Sequence, residues 1–273
     1  MKKIEDLVDM IYEERHEKQL DTVLPIIGDE GLGKSTLMLQ VGLQYCYARD
    51  GELPEHDEFL DRICYDRHGF QKMMANSEKQ ALIMVPDAAR ILYSMDVAKS
   101  EQKQIEKDLM DVRGLEYMIL LGFQSWERIG GEIKERRAKM AFKIPRRGLV
   151  RGYNRDAMDQ RVDSGSWPES TVTDKFPALD GTELWEQYQQ LDLERKRERI
   201  GQDTERKPDE VHRREQQKFV ISLRENTGMS ARDIANQYRA VDYSKSWVND
   251  VIRDWKDGVI DPFGQTEEEN RVT

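Results

Sequence analysis

The eight residues Gly28-Asp29-Glu30-Gly31-Leu32-Gly33-Lys34-Ser35 constrain this chain more than any other stretch. Two glycines with four residues between them, followed by Lys-Ser, make a turn whose backbone N–H groups can point inward around phosphate oxygens. Glycine suits such a turn because a Cβ would block the dihedral angles and the close approach it needs. The flanks have the required order: residues 22–27 are a short apolar run that reads as a strand, and 36–49 read as a helix with one apolar face. That helix starts near Lys34 and aims its positive end at the anion. Gly28, Asp29, Glu30, Gly31, Leu32, Gly33, Lys34, Ser35 and Thr36 are therefore the candidate nucleotide-binding residues. Lys34 reaches the β and γ phosphates, and Ser35 offers its hydroxyl to Mg²⁺. A glycine turn that merely joins strand to helix is the plain alternative, and Lys-Ser in that order speaks against it. Pro25 is odd in this strand, because a proline in a central strand removes a ladder hydrogen bond.

Strands and helices alternate on either side of the loop. Ile4, Leu7, Val8 and Ile11 recur at helical spacing in front of it. Behind it, residues 62–66, 81–85 and 117–124 read as strands, 100–112 and 126–138 as helices, and 140–145 and 148–154 as a strand pair. The pattern predicts an α/β domain over 1–160, a mainly parallel sheet with helices on both faces. Residues 164–181 hold Pro168, Pro177 and scattered Ser, Thr and Gly, and 201–210 are charged, so 161–212 reads as an irregular and helical linker. Apolar periodicity returns over 213–260, and 261–273, with Glu267, Glu268 and Glu269, reads as a disordered acidic tail.

Composition narrows the setting. Cys46 and Cys64 both lie in apolar stretches and give no disulfide framework, which suits a reducing cytoplasm. Acids at Glu5, Asp6, Asp9, Glu13, Glu14 and Glu17 argue against a secretory signal. The longest apolar runs, 82–85 and 118–122, are strand-length and far short of the ~20 residues of a membrane span. A net charge of −10 argues against a uniform coat of nucleic acid and leaves local patches open.

A phosphate cradle that hydrolyses needs a carboxylate on the metal side and a group to orient the attacking water. Asp87, closing the run Ala81 to Pro86, is the candidate for the first role. Adjacent paired acids are absent: Ala88 follows Asp87 and Pro86 precedes it. Asp87 is thus either the metal-side acid or the base, or a plain strand-end turn acid. Asp66, ending the preceding strand, is a second candidate to orient water. Gln124, ending the strand 117–124, stands where a polar side chain can sense the γ-phosphate. Arg136 and Arg137 are candidates for a finger reaching a neighbouring subunit's nucleotide, with Arg113 a weaker one. A solvated helix face is the alternative.

Two further features suggest nucleic acid. Between Gly131 and Arg161 the chain carries Lys134, Arg136, Arg137, Lys139, Lys143, Arg146, Arg147, Arg151, Arg155 and Arg161, opposed by Glu132, Glu135, Asp156 and Asp159. That is the footprint of a surface for a phosphate backbone, or a solvated hairpin. The segment 213–260 reads as three helices, with Ser230 and Asp233 forming a capping box on the second. Ile234, Ala235 and Tyr238 face Trp247, Val248, Val251, Ile252 and Trp255 as the seam of a helix-turn-helix, with a connection at 239–243 longer than a tight turn. Its third helix would present Lys245, Ser246, Asn249 and Arg253 to DNA. A helical interaction bundle is the alternative.

Over its first ~155 residues the chain resembles the additional-strand P-loop ATPases, in particular the zonular-occludens-toxin-like and FtsK–HerA DNA-pumping groups. The residues that carry the likeness are 28–36, 81–90 as a degenerate Asp-Glu-Ala strand end, 117–124 as the following strand, and the Arg-rich 136–148. The resemblance implies ATP with Mg²⁺, DNA as partner and a ring-like homo-oligomer. It suggests DNA translocation, packaging or transfer for a virus, plasmid or mobile element. The incomplete acidic motif keeps a second expectation open: a nucleotide-switched DNA-binding regulator, or a replication or partition factor, with little hydrolysis.

Overall fold

A computed structural model describes residues 1–93, 107–109, 112–205, 210–237, 244–260 and 262. The helix expected over 100–112, the connection 239–243 and the tail 261–273 lie largely or wholly outside these. The chain divides into two compact units, Met1–Arg195 and Lys196–Thr273. No described helix is long and apolar enough to cross a membrane.

The first unit is built on a sheet of six strands: β1 (Thr22–Ile27), β2 (Leu82–Val85), β3 (Met118–Phe123), β4 (Met140–Arg146), β5 (Leu149–Asn154) and β6 (Val172–Lys175). Their spatial order is β2-β3-β1-β4-β5-β6. β1 runs parallel to both β3 and β4, and β2 parallel to β3, while β5 and β6 return antiparallel. The expected α/β class, a mainly parallel sheet wrapped by helices, is therefore what forms.

Alternation along each strand feeds two cores. Leu24, Ile26, Leu82, Met84, Met118, Leu120 and Phe142 pack on one face with Ile4 and Val8 of α1 (Lys2–Glu17), Leu37 and Val41 of α2 (Lys34–Asp50) and Phe59 of α3 (His56–Leu60). Val23, Ile27, Ile83, Val85, Ile119, Leu121 and Phe123 pack on the other, with Phe70 of α4 (Arg67–Asn76), Ile91 of α5 (Ala88–Tyr93), Ile133 and Met158. Both faces are covered, so the central strands read as unbroken apolar runs.

Pro25 has a local explanation. Val23 bridges Ala138, and regular pairing of β1 with β4 resumes only at Ile26 opposite Phe142. Two residues of β1 thus face three of the partner chain, and Pro25, which has no N–H to give, sits in that interruption.

Three segments differ from the sequence reading. The strand expected at 62–66 shrinks to a bridge between Ile63 and Met84. The helix expected at 126–138 is a 3-10 turn, Trp126–Arg128, and a π turn, Ile133–Arg137, with Gly130 and Gly131 between them breaking helical continuity. The stretch expected as linker instead belongs to the first unit as far as Arg195. There β6 covers the β5 edge, and Phe176, Leu184 and Tyr188 are buried in the α1–α2 core. Apolar residues spaced singly among Ser, Thr, Gly and Pro carry no period, so their burial shows only in three dimensions.

In the second unit the helices Glu210–Thr227, Ala231–Gln237 and Lys245–Lys256 share a core of Val220, Ile221, Ile234, Val248 and Val251. Asp233 N–H donates to Ser230 Oγ at 3.2 Å, and Asp233 Oδ2 accepts from Ser230 N at 3.3 Å, the reciprocal bonds of a capping box. Ser244 caps the third helix by accepting from Trp247 N.

Candidate phosphate-binding site

The loop leaves β1 at its C-terminal end, where Gly28 N–H still donates to Phe123 O at 3.1 Å. Gly31 and Gly33 have φ of 77° and 94°, left-handed values that a side chain would resist. Gly33 then caps α2, so the free N–H groups of that helix open onto the loop. Lys34 is curled back: its Nζ donates to Gly28 O at 2.7 Å and Asp29 O at 2.9 Å. Burial pushes its ammonium below the ordinary lysine range, against the pull of Asp29, Glu30 and Asp87.

The charge of Asp87, in the turn after β2, is felt by Lys34, although β2 is not a neighbour of β1. The inserted strand, β3, makes room for it. A Cβ on Gly122 would lie 2.2 Å from the Pro86 carbonyl oxygen, so the turn after β2 bends over β3 where that strand is bare. Asp87 is exposed there. Ser35 and Asp87 are both oxygen donors, the kind a hard cation such as Mg²⁺ takes.

Residues 176–188 lie against the loop and α2. The Phe176 ring packs on Gly33, Gln40 Nε2 donates to Pro177 O at 2.8 Å, and the buried Tyr188 donates its hydroxyl to Ser35 Oγ at 2.8 Å. None of these partners was visible in the sequence, since each contact joins residues more than 130 positions apart.

The other candidates separate. Asp66 caps α4, its carboxylate accepting from Gly69 N at 2.8 Å. Gln124 is exposed at the end of β3. Arg136 is exposed and pairs with Glu132 at 3.3 Å. Arg137 is buried in an ion pair with Asp21, which precedes β1 and so lies at the end of that strand away from the loop. In the second unit Lys245, Ser246 and Asn249 are exposed on the helix Lys245–Lys256, and Arg253 pairs with Asp250 and Asp254, each at 3.0 Å.

The strand order and the glycine loop between β1 and α2 define an α/β P-loop NTPase fold. No family model and no curated protein matches the chain. Among solved structures it is similar to the N-terminal domain of zonular occludens toxin from Neisseria meningitidis, at 13% identity over 61% of this chain and 98% of that one, with a TM-score of 0.39. It is also similar to the genome packaging NTPase B204 from Sulfolobus turreted icosahedral virus 2, in complex with AMPPCP, at 13% identity over 50% of this chain and 94% of that one, with a TM-score of 0.36. Likeness at this level leaves the site to be read from its own geometry.

Proposed function

We propose that this chain binds Mg²⁺-ATP on the loop 28–36 and hydrolyses it to move, package or transfer DNA, acting in the cytoplasm as a homo-oligomer. What supports the reading is the glycine loop at the C-terminal end of β1, with Lys34 and Ser35 opening α2, and Asp87 in the turn that follows β2. Lys34 releases the carbonyls of Gly28 and Asp29 to hold the β and γ phosphates, and the loop N–H groups take the remaining oxygens. Ser35 and Asp87 hold Mg²⁺, which when bound neutralises charge that develops on the transferring phosphoryl group. Gln124, at the end of β3, faces the γ-phosphate position, and Arg136 serves a neighbouring subunit's nucleotide. Lys245, Ser246, Asn249 and Arg253 make the three-helix unit a helix-turn-helix that grips DNA.

A second reading is favoured by the chemistry around Asp87. Pro86 and Ala88 flank it, and Asp66 is engaged as a helix cap, so neither the chain neighbours of Asp87 nor Asp66 offers a free carboxylate to activate water. In that reading the nucleotide switches a DNA-binding regulator and is turned over little. Steady-state ATP hydrolysis with and without duplex DNA, beside Lys34→Ala and Asp87→Asn, separates the two. Turnover that rises with DNA and collapses in both variants supports the motor. Tight ATP binding without turnover overturns it in favour of the switch.

A further inference from the structure

Beside the phosphate loop the sheet carries a group of cations that the reading above leaves without a task. Lys143 on β4 is in register with Ile27, the residue before the loop's first glycine. Across the β4–β5 pair it stands directly opposite Arg151, an arrangement of like charges that disfavours the pairing. The ammonium of Lys143 lies 5.5 Å from the centre of the Trp167 ring, and the Arg161 guanidinium 5.9 Å from the same ring. Lys134 lies 5.4 Å from the Trp126 ring. The aromatic rings form one cluster: Trp126 meets Trp167 edge-on at 5.0 Å, and Tyr153 meets Trp167 at 4.3 Å.

Other basic residues of the same stretch are spent on the frame. Arg137 is bound to Asp21, and Arg155 donates to the carbonyls of Lys134 and Ala138 and pairs with Asp159. Of the others, Lys134, Lys143 and Arg161 gather around the two tryptophans, with Arg151 opposite Lys143 and Glu127 bound to Arg161 at 2.6 Å. Burial pushes Lys143 below the ordinary lysine range, and Arg161 and Arg151 push it further, with Glu127 and Asp29 opposing. Lys134 is lowered by burial and by Arg161, with Glu127 opposing. Four cations gathered on these rings around the Glu127 carboxylate leave an excess of positive charge that a further anion would balance.

We propose that Lys134, Lys143, Arg151 and Arg161, seated on Trp126 and Trp167, form a strip that takes the phosphodiester backbone of DNA beside the nucleotide. This rests on the reading that the chain handles DNA and says where the backbone lies. A polyanion fits better than a stacked base, because the ring faces are already covered by cations. The strip reads charge and carries no sequence preference.

The test uses the full chain and a labelled duplex of arbitrary sequence, with affinity measured over a range of salt. Lys134→Gln with Lys143→Gln removes two phosphate contacts and lowers the slope of log affinity against log salt by about 2. Affinity for an ATP analogue stays as in the wild type. Should that double variant fail to fold, Arg151→Gln, on an exposed position of β5, decides alone with a slope lowered by about 1. Wild-type slope and affinity in a folded variant overturn the strip while leaving DNA handling to the rest of the chain. Loss of ATP-analogue affinity in step with DNA affinity also overturns it, since the cations then serve the nucleotide. A wild-type chain that binds no DNA at low salt sinks the underlying reading and the strip with it.

Discussion

The phenolic hydroxyl of Tyr188 donates to Ser35 Oγ across 153 positions of sequence, at 2.8 Å. Ser35 is the hydroxyl that would ligate Mg²⁺, so in this arrangement one of its lone pairs is already taken. Burial raises the Tyr188 hydroxyl above the ordinary tyrosine range, so it keeps its proton well into the alkaline range. Lys34 is likewise turned onto its own loop. Both chemically active side chains are thus held by the protein itself, and loading the site must exchange these bonds for bonds to the ligand.

Tyr188→Phe removes the competitor for Ser35. Its hydrogen bond is worth about 1 kcal/mol, so the variant should lose about that much stability and bind a Mg²⁺-nucleotide roughly fivefold tighter. Calorimetric titration with and without Mg²⁺, beside a thermal melt, checks both. Lower stability with unchanged affinity would mean that Ser35 serves tyrosine and metal together.

Gly122→Ala tests how Asp87 reaches the site. The added methyl would fall 2.2 Å from the Pro86 carbonyl oxygen, a backbone atom that can yield only by moving the turn. Overpacking of this kind costs about 1–3 kcal/mol. The displaced turn carries Asp87 with it, so hydrolysis should fall well beyond what the melt explains, while metal-free nucleotide binding on the loop persists. Unaltered turnover in a folded variant would remove Asp87 from the chemistry.

Legibility followed the range of the interactions. Gly28 to Ser35 is a local motif whose dihedral needs and helix start are written in adjacent residues, and β1, β2 and β3 announce themselves as apolar runs because both their faces are buried. Ser230 and Asp233 were legible for the same reason. What escaped was long-range. Phe176 and Tyr188 sit in polar, aperiodic chain, and they matter only because the sheet brings them to Gly33 and Ser35. Trp126 and Trp167 likewise show no pattern until the fold sets them edge to face and the helix Arg155–Ser164 brings Arg161 onto Trp167. Arg136 and Arg137 are neighbours in sequence with opposite surroundings, which no pattern of charge distinguishes.

That contrast makes a paired prediction. Arg137→Ala would take the buried guanidinium away from the buried carboxylate of Asp21 and should cost about 3–5 kcal/mol, so any loss of activity follows unfolding. Arg136→Ala takes an exposed guanidinium away from the largely buried carboxylate of Glu132 and should change stability by no more than about 1 kcal/mol, well below the Arg137 cost. If Arg136 is a finger acting between subunits, its variant should lose on the order of 10³ in turnover with stability intact. Thermal melts and turnover measured on the same preparations separate the two, and equal activity of Arg136→Ala and wild type would end the finger role.

At the end of the sheet away from the loop, Glu116 provides a pH-dependent contribution to stability. Its side chain is buried, and it pairs with Lys79 at 2.5 Å, accepts from Gln80 Nε2 at 2.9 Å and meets His16 Nδ1 at 3.2 Å. Burial alone would raise its pKa, but the bonds from Lys79, Gln80 and His16 outweigh it and hold the carboxyl below the ordinary glutamate range. A carboxyl with a depressed value in the folded state binds its proton more readily when unfolded. Its stabilisation is therefore complete above the unfolded value and is lost as pH falls from there through the folded one. Denaturant melts of the wild type should show stability falling over that acid window. Glu116→Gln should be less stable at neutral pH and show a shallower fall on acidification. Parallel acid limbs in the two proteins would place the acid sensitivity in another carboxylate.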